Sequence, residues 1–221
     1  MKDMVNQYDE AKAFDYENGF YLTAQITRMS NILSHYELYK KIVELPGDIV
    51  ELGVYKGGSL FQFASFRELL ENERSRKLIG FDMFGEFPET YNDGDHAFRE
   101  KWILETKNSF LTKEEIRTSL SNRKIGNTEL VQGDITVTVP AYIREHPYMK
   151  IALLHIDVDI YEPTVTGLQY LYDCVVPGGI IVLDDYGVAG ETKAVDEFLK
   201  DKNIKLRRLS ISQHKPSYIQ K

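Results

Sequence analysis

Residues Ile151–Pro163 read IALLHIDVDIYEP, an apolar run that ends in acids. Such a run is typical of a strand buried on both faces of a parallel sheet. A second run of this kind, Gly179–Tyr186 (GIIVLDDY), follows it. Between the two we predict a helix over Thr164–Cys174 and a turn over Val175–Gly179. The sequence therefore predicts an α/β fold with acids at the carboxyl edge of its sheet, where open sheets bind ligands.

The acids at this edge predict a metal site. Adjacent parallel strands lie about 4.8 Å apart, so Asp157, Asp184 and Asp185 are expected to converge. Three carboxylates this close repel one another unless a hard cation such as Mg²⁺ lies between them. A single acid at a strand end is more often a loop starter or a helix cap. Because acids follow two adjacent strands, and one position is doubled, we predict that they bind Mg²⁺.

Composition limits the class of protein. The chain has 221 residues, of which 43% are hydrophobic and 28% charged, and a net charge of −7. We expect one domain over residues 1–221, with a helical N-terminal cover over residues 1–45. The negative charge argues against a nucleic-acid partner, and no run approaches the ~18–20 apolar residues of a membrane span. Cys174 is the sole cysteine and no secretory leader is visible, so we predict a cytoplasmic protein.

Asp48–Ser59 (DIVELGVYKGGS) predicts a strand, a glycine-rich turn and the start of a helix. The glycine spacing differs from the Gly-x-Gly-x-x-Gly of dinucleotide-binding folds. Glu51 would repel a pyrophosphate and attract an ammonium group, which favours a cationic ligand over NAD. Asp82 ends the next predicted strand, Lys77–Asp82. An acid at that edge can accept hydrogen bonds from both hydroxyls of a ribose, or it can cap a loop.

Residues 83–126, called the insertion below, contain no strand-like run. Insertions this long tend to be functional, and we expect a lid or substrate wall. The remaining predicted elements are helices over Phe98–Phe110, Lys113–Ser121, Pro140–His146 and Thr192–Lys200, and strands over Glu129–Gln132, Ile204–Ile211 and Ser217–Gln220. The last two strands are so close in sequence that they must pair in antiparallel fashion.

Taken together, these segments resemble the macrocin O-methyltransferase (TylF/MycF) family of class I S-adenosylmethionine-dependent methyltransferases. The segments that carry the resemblance are Pro46–Val54, Gly57–Ser59, Phe81–Phe84 with Phe87 and Pro88, Gln132–Asp134, His155–Glu162 and Gly178–Tyr186. The glycine turn alone has little specificity. The ordered set, which ends in Leu183-Asp184-Asp185-Tyr186, is strongly specific.

The resemblance implies a Rossmann-like, seven-stranded, mostly parallel sheet whose last strand is antiparallel. It also implies S-adenosylmethionine and Mg²⁺ as cofactors, methyl transfer to a hydroxyl of a sugar or glycosylated small molecule, and a homo-oligomer. In this family pattern, Asp157, Asp184 and Asp185 match the metal ligands.

The same resemblance assigns the cofactor-binding residues by position. Glu51, Gly53 and Tyr55 would line the methionine end, Asp82 would bind the ribose, and Gly133 with Asp134 would meet the adenine. The cofactor-binding set is completed by residues of the glycine-rich motif: Val54, Gly57 and Ser59.

The general base is open at this stage. Catechol O-methyltransferases, which share the arrangement of acids, have a lysine base three residues after the first acid, where this chain has Ile160. The candidates are Asp159, His155, His214 and the metal ligand Asp157. Asp159 ranks first because it follows Asp157 by two residues and can face the same pocket. His155 lies among apolar residues, as a structural histidine would.

The predicted chemistry is an in-line displacement. Mg²⁺ would hold two vicinal oxygens of the acceptor and lower the pKa of one hydroxyl. The protein would place the sulfonium methyl ~3–3.5 Å from that oxygen.

Two other functions fit parts of the sequence. A haloacid-dehalogenase-like phosphatase would use Asp157, Asp159, Asp184 and Asp185 around Mg²⁺, although the Gly53–Ser59 turn would then have no role. A non-catalytic binding module would need no acid at these strand ends.

Overall fold

The computed structural model describes residues 9–213 and 215–221. Seven strands form one sheet in the order β3-β2-β1-β4-β5-β7-β6. The first five in this order pair in parallel, and β7 is antiparallel to both β5 and β6. This confirms the predicted fold and the antiparallel pairing at the end of the chain. The strands are β1 (Asp48–Leu52), β2 (Leu78–Asp82), β3 (Thr128–Gln132), β4 (Ile151–Ile156), β5 (Val175–Leu183), β6 (Leu206–Arg208) and β7 (Ser217–Gln220).

Eight α-helices are present among the described residues. None of them has both the length and the apolar character needed to cross a membrane. The helices are α1 (Ala13–Thr23), α2 (Ile26–Lys40), α3 (Gly58–Leu70), α4 (His96–Thr106), α5 (Lys113–Asn122), α6 (Ile135–Glu145), α7 (Tyr161–Leu171) and α8 (Ala189–Leu199). Helices α1 and α2 both lie within residues 1–45, the predicted helical cover; residues 1–8 lie outside the described part of the chain.

The sheet is covered on both faces. One face packs against α2, α3 and α5, and the other packs against α6, α7 and α8. All six residues of β4 are buried, as predicted for the run that begins at Ile151. Each fully buried large apolar side chain stabilises the fold by about 1.5–3 kcal/mol. The two apolar layers therefore hold the central strands rigidly and fix the edge where their acids emerge.

Several predicted boundaries are wrong, and three of them have a clear local reason. Val175–Gly179 is part of β5, because Val175 pairs with Ile151 before the chain bulges and Ile180 pairs with Leu153. Helix α6 begins well before Pro140, because the Asp134 side chain accepts a hydrogen bond from Thr136 N and caps the helix. Strand β6 is shorter than predicted, because the chain turns where Ser212 N donates to Leu209 O at 3.1 Å.

Backbone hydrogen bonds continue beyond the strand ends. Asp157 N donates to Leu52 O at 2.9 Å, and Asp184 N donates to Ile156 O at 3.0 Å. Gly53 passes so close to this ladder that a Cβ atom built on it would lie 1.8 Å from Asp157 O, and its φ is +88°. The β1 turn and the acid-bearing loop after β4 are therefore in direct contact, which only glycine permits.

We predict that Gly53→Ala destabilises the protein, by about 1–3 kcal/mol from the positive φ alone and more from the clash. The control is Gly58→Ala in the same turn. A Cβ atom there meets nothing within 4 Å, so its free energy of unfolding should stay within about 1 kcal/mol of wild type. Urea unfolding in the absence of ligands measures the free energy of unfolding of both variants. Equal stability of the two variants would contradict the close approach.

Candidate active site

A cavity of about 1250 Å³ opens at the carboxyl edge of the sheet. Most of the predicted site residues line it: Gly53, Val54, Tyr55, Ser59, Asp82, Asp134, Asp157, Asp159, Asp184 and Asp185. Glu51, Gly57, Gly133 and His155 are not among the residues that line it. One cavity thus joins the glycine-rich turn to the acids after β4 and β5.

The acids after β4 and β5 form a compact cluster, called the carboxylate trio: Asp157, Asp184 and Asp185. One oxygen of each lies within 4.8 Å of the others. Burial raises the pKa of Asp157 well above its ordinary value, and the charges of Asp184 and Asp185 raise it further. Three carboxylate oxygens at this spacing suit a hard dication, so the residues present fit Mg²⁺.

Three polar side chains contact one oxygen of the Asp184 carboxylate. Its Oδ1 lies 3.2 Å from Asn31 Nδ2, 3.2 Å from His35 Nε2 and 3.6 Å from His155 Nε2. Burial alone would raise the pKa of Asp184, but the contacts with the two histidines outweigh it and hold that pKa well below its usual range. Asn31 and His35 come from α2, and the sequence analysis missed both because nothing near them marks a site.

Asp185 has its own partners. The Lys215 ammonium pairs with its carboxylate, and its backbone N–H donates to Glu191 Oε1 at 3.1 Å. Burial raises the pKa of Glu191 well above its ordinary value, as do the neighbouring charges of Asp185 and Asp184. Sequence reasoning missed Lys215 and Glu191, which reach the site from the last loop and from α8. The candidate base His214 lies outside the described residues.

Asp82 organises the turn after β1. Its Oδ2 accepts hydrogen bonds from Val54 N at 2.8 Å and Tyr55 N at 2.9 Å, and its Oδ1 accepts one from Phe84 N at 2.5 Å. Burial nevertheless raises the pKa of Asp82 above its ordinary value, because it outweighs these three bonds. Both lone pairs of Oδ2 are used by its two N–H donors, while Oδ1 keeps one free lone pair, so Asp82 fixes the turn and remains an acceptor at the cavity wall through Oδ1.

Glu51 and His155 lie behind the cavity. They pair in register on adjacent strands, both are fully buried, and Glu51 Oε1 lies 3.0 Å from His155 Nδ1. The His155 ring packs against Phe63 of α3, with ring centres 5.3 Å apart. Because side chains alternate between the faces of a strand, these two residues point beneath α2 and α3. Glu51 and His155 thus lie outside the set of residues that line the cavity.

The insertion forms a wall of the cavity. Trp102 packs between Tyr55 and Phe87, at ring-centre distances of 5.0 and 4.7 Å. The insertion is anchored on the first turn of α7: the Glu162 carboxylate accepts hydrogen bonds from Tyr91 N and Asn92 N at 2.8 and 2.7 Å. Aromatic packing and the Glu162 carboxylate therefore help to hold the insertion against α7.

We predict that Glu162→Ala loosens the insertion. Hydrogen bonds to a charged group contribute about 1.5–3 kcal/mol, so amide exchange at Tyr91 and Asn92 should become roughly 10-fold faster. Glu197→Ala is the matched control, since Glu197 accepts from the Tyr161 hydroxyl on the same helix without touching the insertion. Hydrogen exchange read by mass spectrometry tests this, and unchanged protection in Glu162→Ala would contradict the anchor.

We predict that Asp157→Asn stabilises the metal-free protein. The folded-state pKa of Asp157 is raised, so its ionisation costs stability above the ordinary carboxyl pKa, and a neutral amide removes that cost. In chelator at pH 7.5 the variant should unfold at a higher temperature than wild type. Mg²⁺ should then raise the unfolding temperature of wild type alone.

Asp173→Asn, at an exposed acid, is the control for this pair of measurements and should unfold like wild type in both conditions. A lower unfolding temperature for Asp157→Asn in chelator would show that the trio does not repel itself.

Comparisons with known proteins agree with this geometry. The sequence model of the macrocin O-methyltransferase (TylF) family matches residues 11–215. The demethyldecarbamoylnovobiocin O-methyltransferase of Streptomyces niveus is 32% identical over 159 residues, which cover 70% of this chain and 58% of that protein. The mycinamicin III 3''-O-methyltransferase of Micromonospora griseorubida is 28% identical over 160 residues, covering 70% and 61%. The chain thus spans about three fifths of the length of these relatives.

Solved structures give the same family of folds. The calicheamicin methyltransferase CalS11 superposes with a TM-score of 0.73 at 27% identity, over 98% of this chain and 88% of that one. The O-methyltransferase NovP superposes with a TM-score of 0.74 at 24% identity, over 87% and 79%, and supports the fold alone. Because the family match covers most of the sequence and the sheet has the order of a class I methyltransferase, the chain belongs to the macrocin O-methyltransferase (TylF) family.

Proposed function

We propose that this protein is an S-adenosylmethionine-dependent O-methyltransferase that acts on a hydroxyl of a sugar or glycosylated small molecule. The observation that carries the proposal is the single cavity that joins the Gly53–Ser59 turn to the carboxylate trio. The substrate class is supported by the names of relatives: one acts on mycinamicin III, and CalS11 is described as a TDP-rhamnose 3'-O-methyltransferase. Neither the fold nor these relatives support the phosphatase alternative.

The cofactor would occupy the part of the cavity nearest β1 and β2. Gly53, Val54 and Tyr55 would lie against its methionine end, where the absence of a Cβ at Gly53 lets backbone approach. Asp82 would accept from a ribose hydroxyl with the free lone pair of Oδ1, and the edge at Asp134 would meet the adenine. Glu51, fully buried behind this wall, would act on the cofactor only through the field of its charge.

Asp157, Asp184 and Asp185 would hold Mg²⁺. When bound, the ion would lower the pKa of the acceptor hydroxyl, as it does for bound water. In the metal-free protein the Lys215 ammonium supplies part of the compensating charge through its pair with Asp185.

Asp159 is the base that the geometry favours. It lines the cavity, unlike His155, and its φ of 61° turns the chain sharply between the strand end and α7. Burial raises its pKa well above the ordinary value, and the charge of Asp185 adds to this; a general base works best with a pKa near the operating pH. Asp159 would accept the proton of the acceptor hydroxyl, and S-adenosylmethionine, when bound, would supply the electrophilic methyl group.

We also propose that residues 1–221 form one methyltransferase domain that works in the cytoplasm as a homo-oligomer, with the insertion as its lid. Helix α1 buries none of its residues, and its Phe14 and Leu22 are 77% and 84% exposed. An 11-residue helix is marginal by itself in water. A second copy that covers this apolar surface would stabilise it.

Methyl transfer to nucleotide-linked sugars and antibiotic glycosides, with and without Mg²⁺, tests the proposed function. We expect Mg²⁺-dependent turnover with a subset of sugars, and a loss of at least about 100-fold in Asp159→Ala. Cofactor affinity measured by calorimetry should stay within a few fold in that variant. Asp173→Asn serves again as the control and should keep full activity.

Failure of the wild type to bind S-adenosylmethionine at millimolar concentration would refute the proposal and favour a binding module. Full activity of Asp159→Ala would refute the assignment of the base while leaving the reaction intact.

A further inference from the structure

A second group of ligand-type side chains lies behind the carboxylate trio. We call His35, His155 and Asp184 the histidine trio; one ligand atom of each lies within 4.8 Å of the others. His35 and His155 are 1% and 0% exposed. His155 Nε2 is buried and has no hydrogen-bond partner. An unpartnered ring nitrogen in so dry a place is costly, and a bound ion would account for it.

Contacts at Nδ1 fix the orientation of both imidazole rings. His35 Nδ1 lies 2.8 Å from Gln62 Oε1, and His155 Nδ1 lies 3.0 Å from Glu51 Oε1. A carboxylate or amide oxygen can only accept, so each Nδ1 carries the proton and donates. Both Nε2 atoms face Asp184 Oδ1. Without an ion, a proton on Nε2 points at that oxygen; an ion would replace the proton and take the Nε2 lone pair. Histidines that bind metals are held in this way by an outer acceptor.

The distances match a tetrahedral ion. Asp184 Oδ1 lies 3.2 Å from His35 Nε2 and 3.6 Å from His155 Nε2. Ligands 2.0–2.1 Å from a tetrahedral Zn²⁺ are about 3.3–3.4 Å apart along each edge. The ring centres of His35 and His155 are 4.9 Å apart, close to the roughly 5 Å expected for two imidazoles on one ion.

We propose that the histidine trio binds Zn²⁺ or a similar borderline transition ion, in addition to the hard cation expected at the carboxylate trio. Two imidazoles and one carboxylate select such an ion over Mg²⁺, which prefers oxygen ligands. His35 and Asp184 line the cavity, so water can supply a fourth ligand. Asp184 belongs to both trios, and its two oxygens allow it to bridge two ions.

Co²⁺ is the probe, because it replaces Zn²⁺ and tetrahedral Co²⁺ absorbs strongly in the visible range whereas octahedral Co²⁺ does not. The whole chain is treated with chelator and titrated with Co²⁺. We expect tetrahedral bands that saturate at one equivalent and are displaced by Zn²⁺. Mg²⁺ in excess should leave the bands in place.

Three variants locate the ion. His35→Gln should weaken Co²⁺ binding at least about 100-fold, since it removes a direct ligand and second-shell changes alone cost 10–100-fold. His146→Gln is the matched control; this histidine stacks on Tyr142 of α6, away from the site, and its loss should change nothing. Asp157→Asn should keep the bands although it removes a member of the carboxylate trio, so this result does not depend on methyl transfer.

The proposal fails if wild type gives no tetrahedral bands, or if the bands survive in His35→Gln. It also fails if only weak octahedral bands appear and Asp157→Asn removes them, because the ion would then sit in the carboxylate trio and the imidazoles would serve as hydrogen-bond donors to Asp184. Circular dichroism of His35→Gln shows whether that variant folds; if it does not, the wild-type spectrum and its Zn²⁺ displacement still decide.

Discussion

Carboxylate repulsion at the carboxyl edge of the sheet is the constraint around which the site is built. Asp157 and Asp184 are brought side by side because the backbone ladder continues past β1, β4 and β5. The apolar layers on both faces leave these acids no freedom to separate. Two kinds of group offset the repulsion: the Lys215 ammonium at Asp185, and His35 of α2 with His155 of β4 at Asp184. Each comes from a different part of the chain.

Helix α2 and the last loop contact each other at this edge of the sheet. Ser30 Oγ of α2 donates to Ile211 O at 2.5 Å, and Ser34 Oγ lies 2.9 Å from Ser212 Oγ. These contacts join the helix that carries His35 to the loop that carries Lys215. The insertion closes the opposite side through Glu162. The cavity is thus enclosed by segments that are remote from one another in sequence, and the ends of the strands form its floor.

The sequence predicted elements with a strong local signal and missed those set by neighbours. The apolar run at Ile151 and the acids after it were enough to place a buried strand and a cluster at its end. The sequence predicts a turn over Val175–Gly179 because proline and glycine favour turns. Pairing with β4 extends the strand through a bulge instead. Pro140 suggested a helix start, while the cap at Asp134 sets the true one.

By itself, the sequence determined the parallel sheet, its seven strands with an antiparallel last strand through the family resemblance, and the acids at its edge, since apolar runs and terminal acids are local patterns. Only the tertiary structure decided which side chains reach the cavity. Glu51 and Asp157 are acids near the ends of similar strands, but Glu51 lies within β1, where alternation buries its side chain beneath α3, whereas Asp157 emerges past the end of β4. His35, Glu191 and Lys215 carry no local signature. They matter because packing brings their charges or lone pairs within hydrogen-bond reach of acids far away in the chain.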